Sequence, residues 1–181
     1  MRFWPIFILS IVSSLRCLAL PSVIQLIDLR SGSMTKISTK PTDKLATVFV
    51  FLSSECPCSE SHQPVLSELA KSHPEFAFVG VHSNSDESID DARIFFKKAE
   101  LFFPVVEDTG QKIANELGAL KTPHAFVVNP KGEILFRGGV DETHIASGAK
   151  KHFLAMALDA IVAGQKPDPD EVAPLGCAIS R

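Results

Sequence analysis

Three stretches of the chain are apolar without a break and short enough to be strands: Val48–Leu52, Phe76–Val81 and Ala125–Val128. A strand covered on both faces reads this way, whereas a half-exposed one alternates. Around them the spacing changes. After Cys56-Pro57-Cys58, the positions Val65, Leu66 and Leu69 share one helical face, which predicts a helix to about Ser72 kinked at Pro64. Ile89–Ala99 places Ile89, Ala92, Phe95 and Phe96 on an inner face. A helix ending at Leu117-Gly118 follows the cap signal Asp108-Thr109 and the short strand Pro104–Val106. Ile145–Val162 predicts the longest helix, with Phe153, Leu154, Ala157, Leu158 and Ile161 as its core stripe.

Turn signals complete the plan. Arg30-Ser31-Gly32-Ser33 joins Val23–Leu29 to Met34–Ile37 as an N-terminal hairpin, and Asn129-Pro130-Lys131-Gly132 joins Ala125–Val128 to Glu133–Arg137. Strands alternating with helices, then a hairpin and a last helix, call for an α/β three-layer sandwich. Its central sheet is mixed, mainly parallel, with helices on both faces. Residues 20–164 form this domain. The tail, 165–181, carries prolines and no periodicity, and is expected to lie loosely over the surface.

The first 19 residues change the picture of where the protein works. A basic start, an apolar run from Phe3 to about Leu15 and small residues before position 20 read as a signal peptide cut after Ala19. The run is short for a membrane span. Without Arg2 and Arg16 the net charge moves from −3 to about −5. An acidic domain with no basic stripe argues against nucleic-acid partners. Cys56, Cys58 and Cys177 remain in the exported product, and an odd number in an oxidising compartment signals an exchanging thiol.

The stretch that concentrates chemistry is Thr47–Pro64. Its strand passes through Ser53-Ser54-Glu55 into Cys56-Pro57-Cys58 at the start of a helix. Backbone N–H groups and the positive dipole end favour a thiolate there, and the thiolate is the reactive form. Cys56 is expected to be solvent-reachable and nucleophilic. Cys58, two residues on, can approach it only in the non-helical entry turn that Pro57 stiffens. Cys177 on the tail is a second candidate to resolve a mixed disulfide. His62 is expected on an exposed helix face, and His124 near the cysteines. Asp86, Glu87, Asp90 and Asp91 read as a solvated helix start.

These residues resemble the thioredoxin superfamily, and within it the exported redoxin/TlpA-like (AhpC-TSA-related) group. Four features carry the likeness: the strand ending in Phe51-Leu52-Ser53-Ser54-Glu55-Cys56-Pro57, a proline eight residues after Cys56, Thr122-Pro123 before a strand, and the closing hairpin and helix. The resemblance implies Cys56 as nucleophile, a cis peptide at Pro123 facing it, and Thr122 and Pro57 beside a bound substrate segment. It implies protein thiols and disulfides as partners, with no cofactor. The chain departs from the usual Cys-x-x-Cys pattern, since Ser59 stands in the second cysteine's place and Glu55 where thioredoxins usually carry Trp.

Two other functions within the same superfamily compete. A Sco-like copper module would hold Cu(I) through Cys56, Cys58 and His124, thiolates being soft ligands. A peroxiredoxin-like peroxidase is suggested by Ser53-x-x-Cys56-Pro57. However, Phe49 falls where that motif has proline, and Arg137 comes after the cis-proline strand rather than before it.

Overall fold

The computed structural model describes residues 20–181; the expected leader and its cleavage point lie outside the described residues. The elements run β1 Val23–Ile27, β2 Met34–Ser38, β3 Ala46–Phe51, α1 Pro57–Ser72, β4 Phe76–His82, α2 Ile89–Lys98, β5 Val105–Glu107 and α3 Lys112–Leu117. They continue with β6 Lys121–Thr122, β7 His124–Val128, β8 Ile134–Gly138, α4 Phe153–Val162 and β9 Cys177–Ala178. The central sheet has the order β5-β4-β3-β7-β8. β3, β4 and β5 are parallel, while β7 and β8 are antiparallel to their neighbours. β1 and β2 form the expected N-terminal hairpin, with Ile24 opposite Ile37.

The unbroken apolar runs follow from two cores that share one sheet. Val48, Val50 and Leu52 point into a core with Leu66 of α1, Phe96 of α2 and Leu158 of α4. Phe49 and Phe51, the alternate residues, point into a second core with Ile113 and Leu117 of α3, Phe126 and Ile37. The β1–β2 hairpin lends that second face Ile24 and Leu26. A strand buried on both sides has no reason to alternate in polarity, although its side chains still alternate in direction.

Helix ends follow local chemistry. Asp108 caps α3 from outside it, its carboxylate accepting the Ile113 and Ala114 N–H groups. Gly118 closes that helix in the left-handed region, at φ 72°. α1 runs through Pro64 without interruption and, at 16 residues, is longer than α4 with 10. The single long helix expected over Ile145–Val162 is therefore divided. A 3-10 turn at Ala146–Gly148 precedes α4, which begins only at Phe153, where the apolar stripe starts. Residues 146–152 bring no apolar face to bury, and loop groups satisfy them instead, as where Lys150 N–H donates to Glu142 at 2.9 Å.

The tail also departs from expectation, because it is pinned along its length. The Arg137 N–H donates to Asp170 O at 3.0 Å and the Val172 N–H to Arg137 O at 3.1 Å, so the tail runs beside β8. Arg137 and Glu171 form an ion pair at 2.6 Å. The chain then crosses to β6, where β9 pairs antiparallel. Nothing in the tail's composition announces this, since its partners are backbone edges elsewhere in the fold.

Candidate active site

β3 ends at Phe51, and residues 52–55 carry the chain to Cys56, the N-cap of α1. Pro57 occupies the first helical position, where an N–H would have no intrahelical partner. The Cys56 carbonyl accepts the first helical bond, from Glu60 N–H at 3.0 Å. The carboxylate of Glu87 fixes the link itself. It accepts Ser53 Oγ–H at 2.5 Å, Ser54 N–H at 2.8 Å and Ser54 Oγ–H at 2.5 Å, with Asn84 and His82 adding further contacts at 2.5 and 3.0 Å. Burial pushes the Glu87 carboxyl up, but the hydrogen bonds from His82, Ser53 and Ser54 outweigh it and hold the group at about 2. The expectation of a solvated acidic helix start is thus wrong at Glu87, whose side chain is 3% exposed.

Cys56 forms a disulfide with Cys177, their Cα atoms 6.0 Å apart. Its sulfur lies 3.2 Å from the Thr122 carbonyl oxygen, and the residue is 2% exposed. The expected open nucleophile is therefore covered, and the cover is the tail that bears Cys177. Cys58 is a free, half-buried thiol whose Sγ lies 3.6 Å from His144 Nδ1. The three sulfurs lie within 4.8 Å of one another.

The Thr122–Pro123 peptide is cis and joins β6 to β7. On the open edge of β6, Thr122 pairs with Cys177 and Lys121 with Ala178. Thr122 thus lies against the Cys56 sulfur through its carbonyl oxygen, with Pro123 next in the chain, and Pro57 follows Cys56 at the start of α1. His124 does not join them. Its Nδ1 accepts the Leu120 N–H at 3.2 Å, its ring packs on Phe126 at 4.4 Å, and burial, with the charge of Arg137, lowers its pKa to about 4. Among the described residues the group of close metal-ligating atoms is the three sulfurs, without His124. Arg137 is engaged with Glu171 on the tail.

Two residues near the cysteines have roles that periodicity could not reveal. Ser59 is fully buried, and its hydroxyl accepts the Ser53 N–H at 3.1 Å, bracing the link where a second cysteine usually stands in Cys-x-x-Cys proteins. His62, expected in solvent, is 1% exposed. Its Nε2 lies 3.0 Å from Asp141 and its Nδ1 2.7 Å from the Cys58 carbonyl oxygen, tying the first turn of α1 to the loop after β8. Asp141 and His144 share no sequence signal with Cys58. His144 reaches Cys58, and Asp141 reaches His62, because that loop folds back over α1.

A family model described as thioredoxin-like matches residues 45–134. No curated protein matches the chain. Among solved structures, an uncharacterised conserved protein from Geobacillus kaustophilus is 21% identical, with 93% of this chain and 94% of that one covered at a TM-score of 0.77. StoA from Bacillus subtilis is 27% identical over 66% of this chain and 88% of its own, TM-score 0.54. A secreted Mycobacterium tuberculosis disulfide oxidoreductase homologous to E. coli DsbE is 21% identical over 61% and 79%, TM-score 0.51.

Proposed function

The chain belongs to the thioredoxin-like proteins, and from that premise we propose that it is an exported thiol–disulfide oxidoreductase whose working pair is Cys56 and Cys177. The single observation that carries this reading is the disulfide itself, formed by the cysteine at the N-cap of α1 opposite the Thr122–Pro123 loop. Export rests on the leader-like composition of residues 1–19. The described residues contain no helix long and apolar enough to cross a membrane.

In the reduced protein the Cys56 thiolate attacks one sulfur of a partner disulfide. A Cys56–partner bond forms, the partner's S–S bond breaks, and one partner thiolate leaves and takes a proton. The Cys177 thiolate then attacks Cys56 Sγ, expels the second partner thiolate and leaves the Cys56–Cys177 disulfide. Two electrons pass from the Cys56/Cys177 dithiol to the partner, and the reverse sequence oxidises a partner dithiol.

Cysteine variants separate the roles. With dithiothreitol as electron source and a protein disulfide as acceptor, Cys56→Ser should abolish turnover. Cys177→Ser should accumulate a mixed disulfide on Cys56, and Cys58→Ser should retain turnover. Full activity in Cys56→Ser would remove the proposal.

The cluster of three sulfurs favours a second reading, Cu(I) held by Cys56, Cys58 and Cys177 in the reduced protein. This donor set suits a soft monovalent ion, and His124 is not part of it. Titration of the reduced protein against a Cu(I) competitor should show one tight equivalent; weak, non-stoichiometric binding would eliminate this reading.

A further inference from the structure

We propose that the chain's own residues 176–179, Gly-Cys-Ala-Ile, are a tethered occupant of the β6 edge. They compete there with partner segments of the form Gly–Cys–x–branched aliphatic. This rests on the thiol-exchange reading above and names the substrate class for it.

Three independent observations define the groove. The first is backbone pairing: Thr122 faces Cys177 and Lys121 faces Ala178, and the Ile179 N–H donates to Leu120 O at 2.9 Å. Strand addition of this kind supplies affinity without regard to sequence. The second is a steric filter. Gly176 adopts φ 147°, and a Cβ there would run into the Thr122 carbonyl oxygen, so the position before the cysteine must be glycine for so close an approach. The third is an apolar socket. Ile179, two residues after the cysteine, is buried in the second core with Ile113, Leu117 and Phe126. Alternate side chains of an added strand face the same way, so a cysteine at the sulfur site places an aliphatic group on its own side of the strand.

The tail thus presents Cys177 to Cys56 in the manner expected of a substrate cysteine. A partner strand and β9 cannot both pair with β6. Return of the tail therefore delivers the resolving thiolate to Cys56 and displaces the partner strand in one movement. The bond changes are those given above, with no further oxidant or reductant.

The test follows mixed-disulfide formation on the reduced full-length protein. The probe is the peptide Leu-Gly-Cys-Ala-Ile-Ser-Arg carrying thionitrobenzoate on its cysteine, and release of that group is read by absorbance. A glycine-to-valine analogue and an isoleucine-to-aspartate analogue should each react about tenfold more slowly than the parent peptide, reflecting loss of close approach and of aliphatic burial respectively. In the protein, Ile179→Asp should accelerate the first step with the parent peptide by about tenfold and slow the second, so that mixed disulfide accumulates. Should that variant fold poorly, Arg181→Ala tests the same release, because its guanidinium anchors the tail to Asn115 and to Ala119 O. Equal rates for the three peptides, or unchanged kinetics in both variants, would overturn the groove. Reaction of Cys56 with a small aromatic disulfide separates the two levels: if it proceeds while the peptides are not distinguished, only recognition fails. If Cys56 reacts with neither, the exchange reading falls as well.

Discussion

Replacing Glu87 with alanine should cost the fold about 3–5 kcal/mol, the range seen when one partner of a buried charged network is removed. The carboxylate collects Ser53, Ser54, Asn84 and His82, and without it those donors are left buried and unsatisfied. For a domain of this size the thermal midpoint should fall by on the order of 10 °C. The same change should slow closure of the Cys56–Cys177 bond, because Ser53 and Ser54 are the backbone that aims Cys56. Thermal unfolding and the rate of reoxidation by glutathione disulfide measure the two effects. A loss below about 1 kcal/mol would mean that the Ser59–Ser53 bond alone suffices to hold the link.

Acid should weaken the protein in two successive windows. His124 titrates near 4 in the fold against an ordinary 6.5, because burial disfavours the imidazolium. The fold thus prefers the neutral ring, and its contribution is whole above pH 6.5 and is lost as pH falls from 6.5 to about 4. Glu87 titrates near 2 against an ordinary 4.5; the fold prefers its carboxylate, and that stability is lost as pH falls from 4.5 to about 2. Each window is worth roughly 2–3 kcal/mol. Denaturant midpoints measured from pH 8 to pH 3 should therefore begin to fall near 6.5. His124→Asn keeps a side-chain acceptor for the Leu120 N–H and has nothing to titrate, so it should flatten the upper window alone. A wild-type profile flat between pH 6.5 and 4 would contradict the burial assigned to this ring.

The sequence made the sheet and its order of elements readable for a physical reason. Val48–Leu52 and Phe76–Val81 are buried on both faces, and such runs stand out in any window. The Thr122-Pro123 pair and the helix opening at Cys56-Pro57 were legible as well, and the cis peptide lies where it was expected. Glu87 is hidden in the sequence because Asp86, Glu87, Asp90 and Asp91 look alike locally. What distinguishes Glu87 is contact with Ser53 and Ser54, more than thirty residues upstream. The burial of His62 is hidden for the same reason, its partner Asp141 lying on a loop 79 residues away. Cys56 departs from its expected exposure because the tail is pinned rather than loose. Its order comes from β6, β8 and a socket for Ile179, none of which leaves a periodic trace in residues 165–181.

The division of β3 between two unlike cores has a bearing on fidelity of folding. Its valines fill one side and its phenylalanines the other. A slide of one residue against β4 or β7 would force aromatic rings into space shaped for smaller groups and leave voids opposite. The same slide would rotate everything downstream, including the sulfur five residues beyond Phe51, to the wrong side of the sheet. The volume difference between Val and Phe in β3 therefore acts as the gauge that locates the reactive atom, at a distance and with no contact to it.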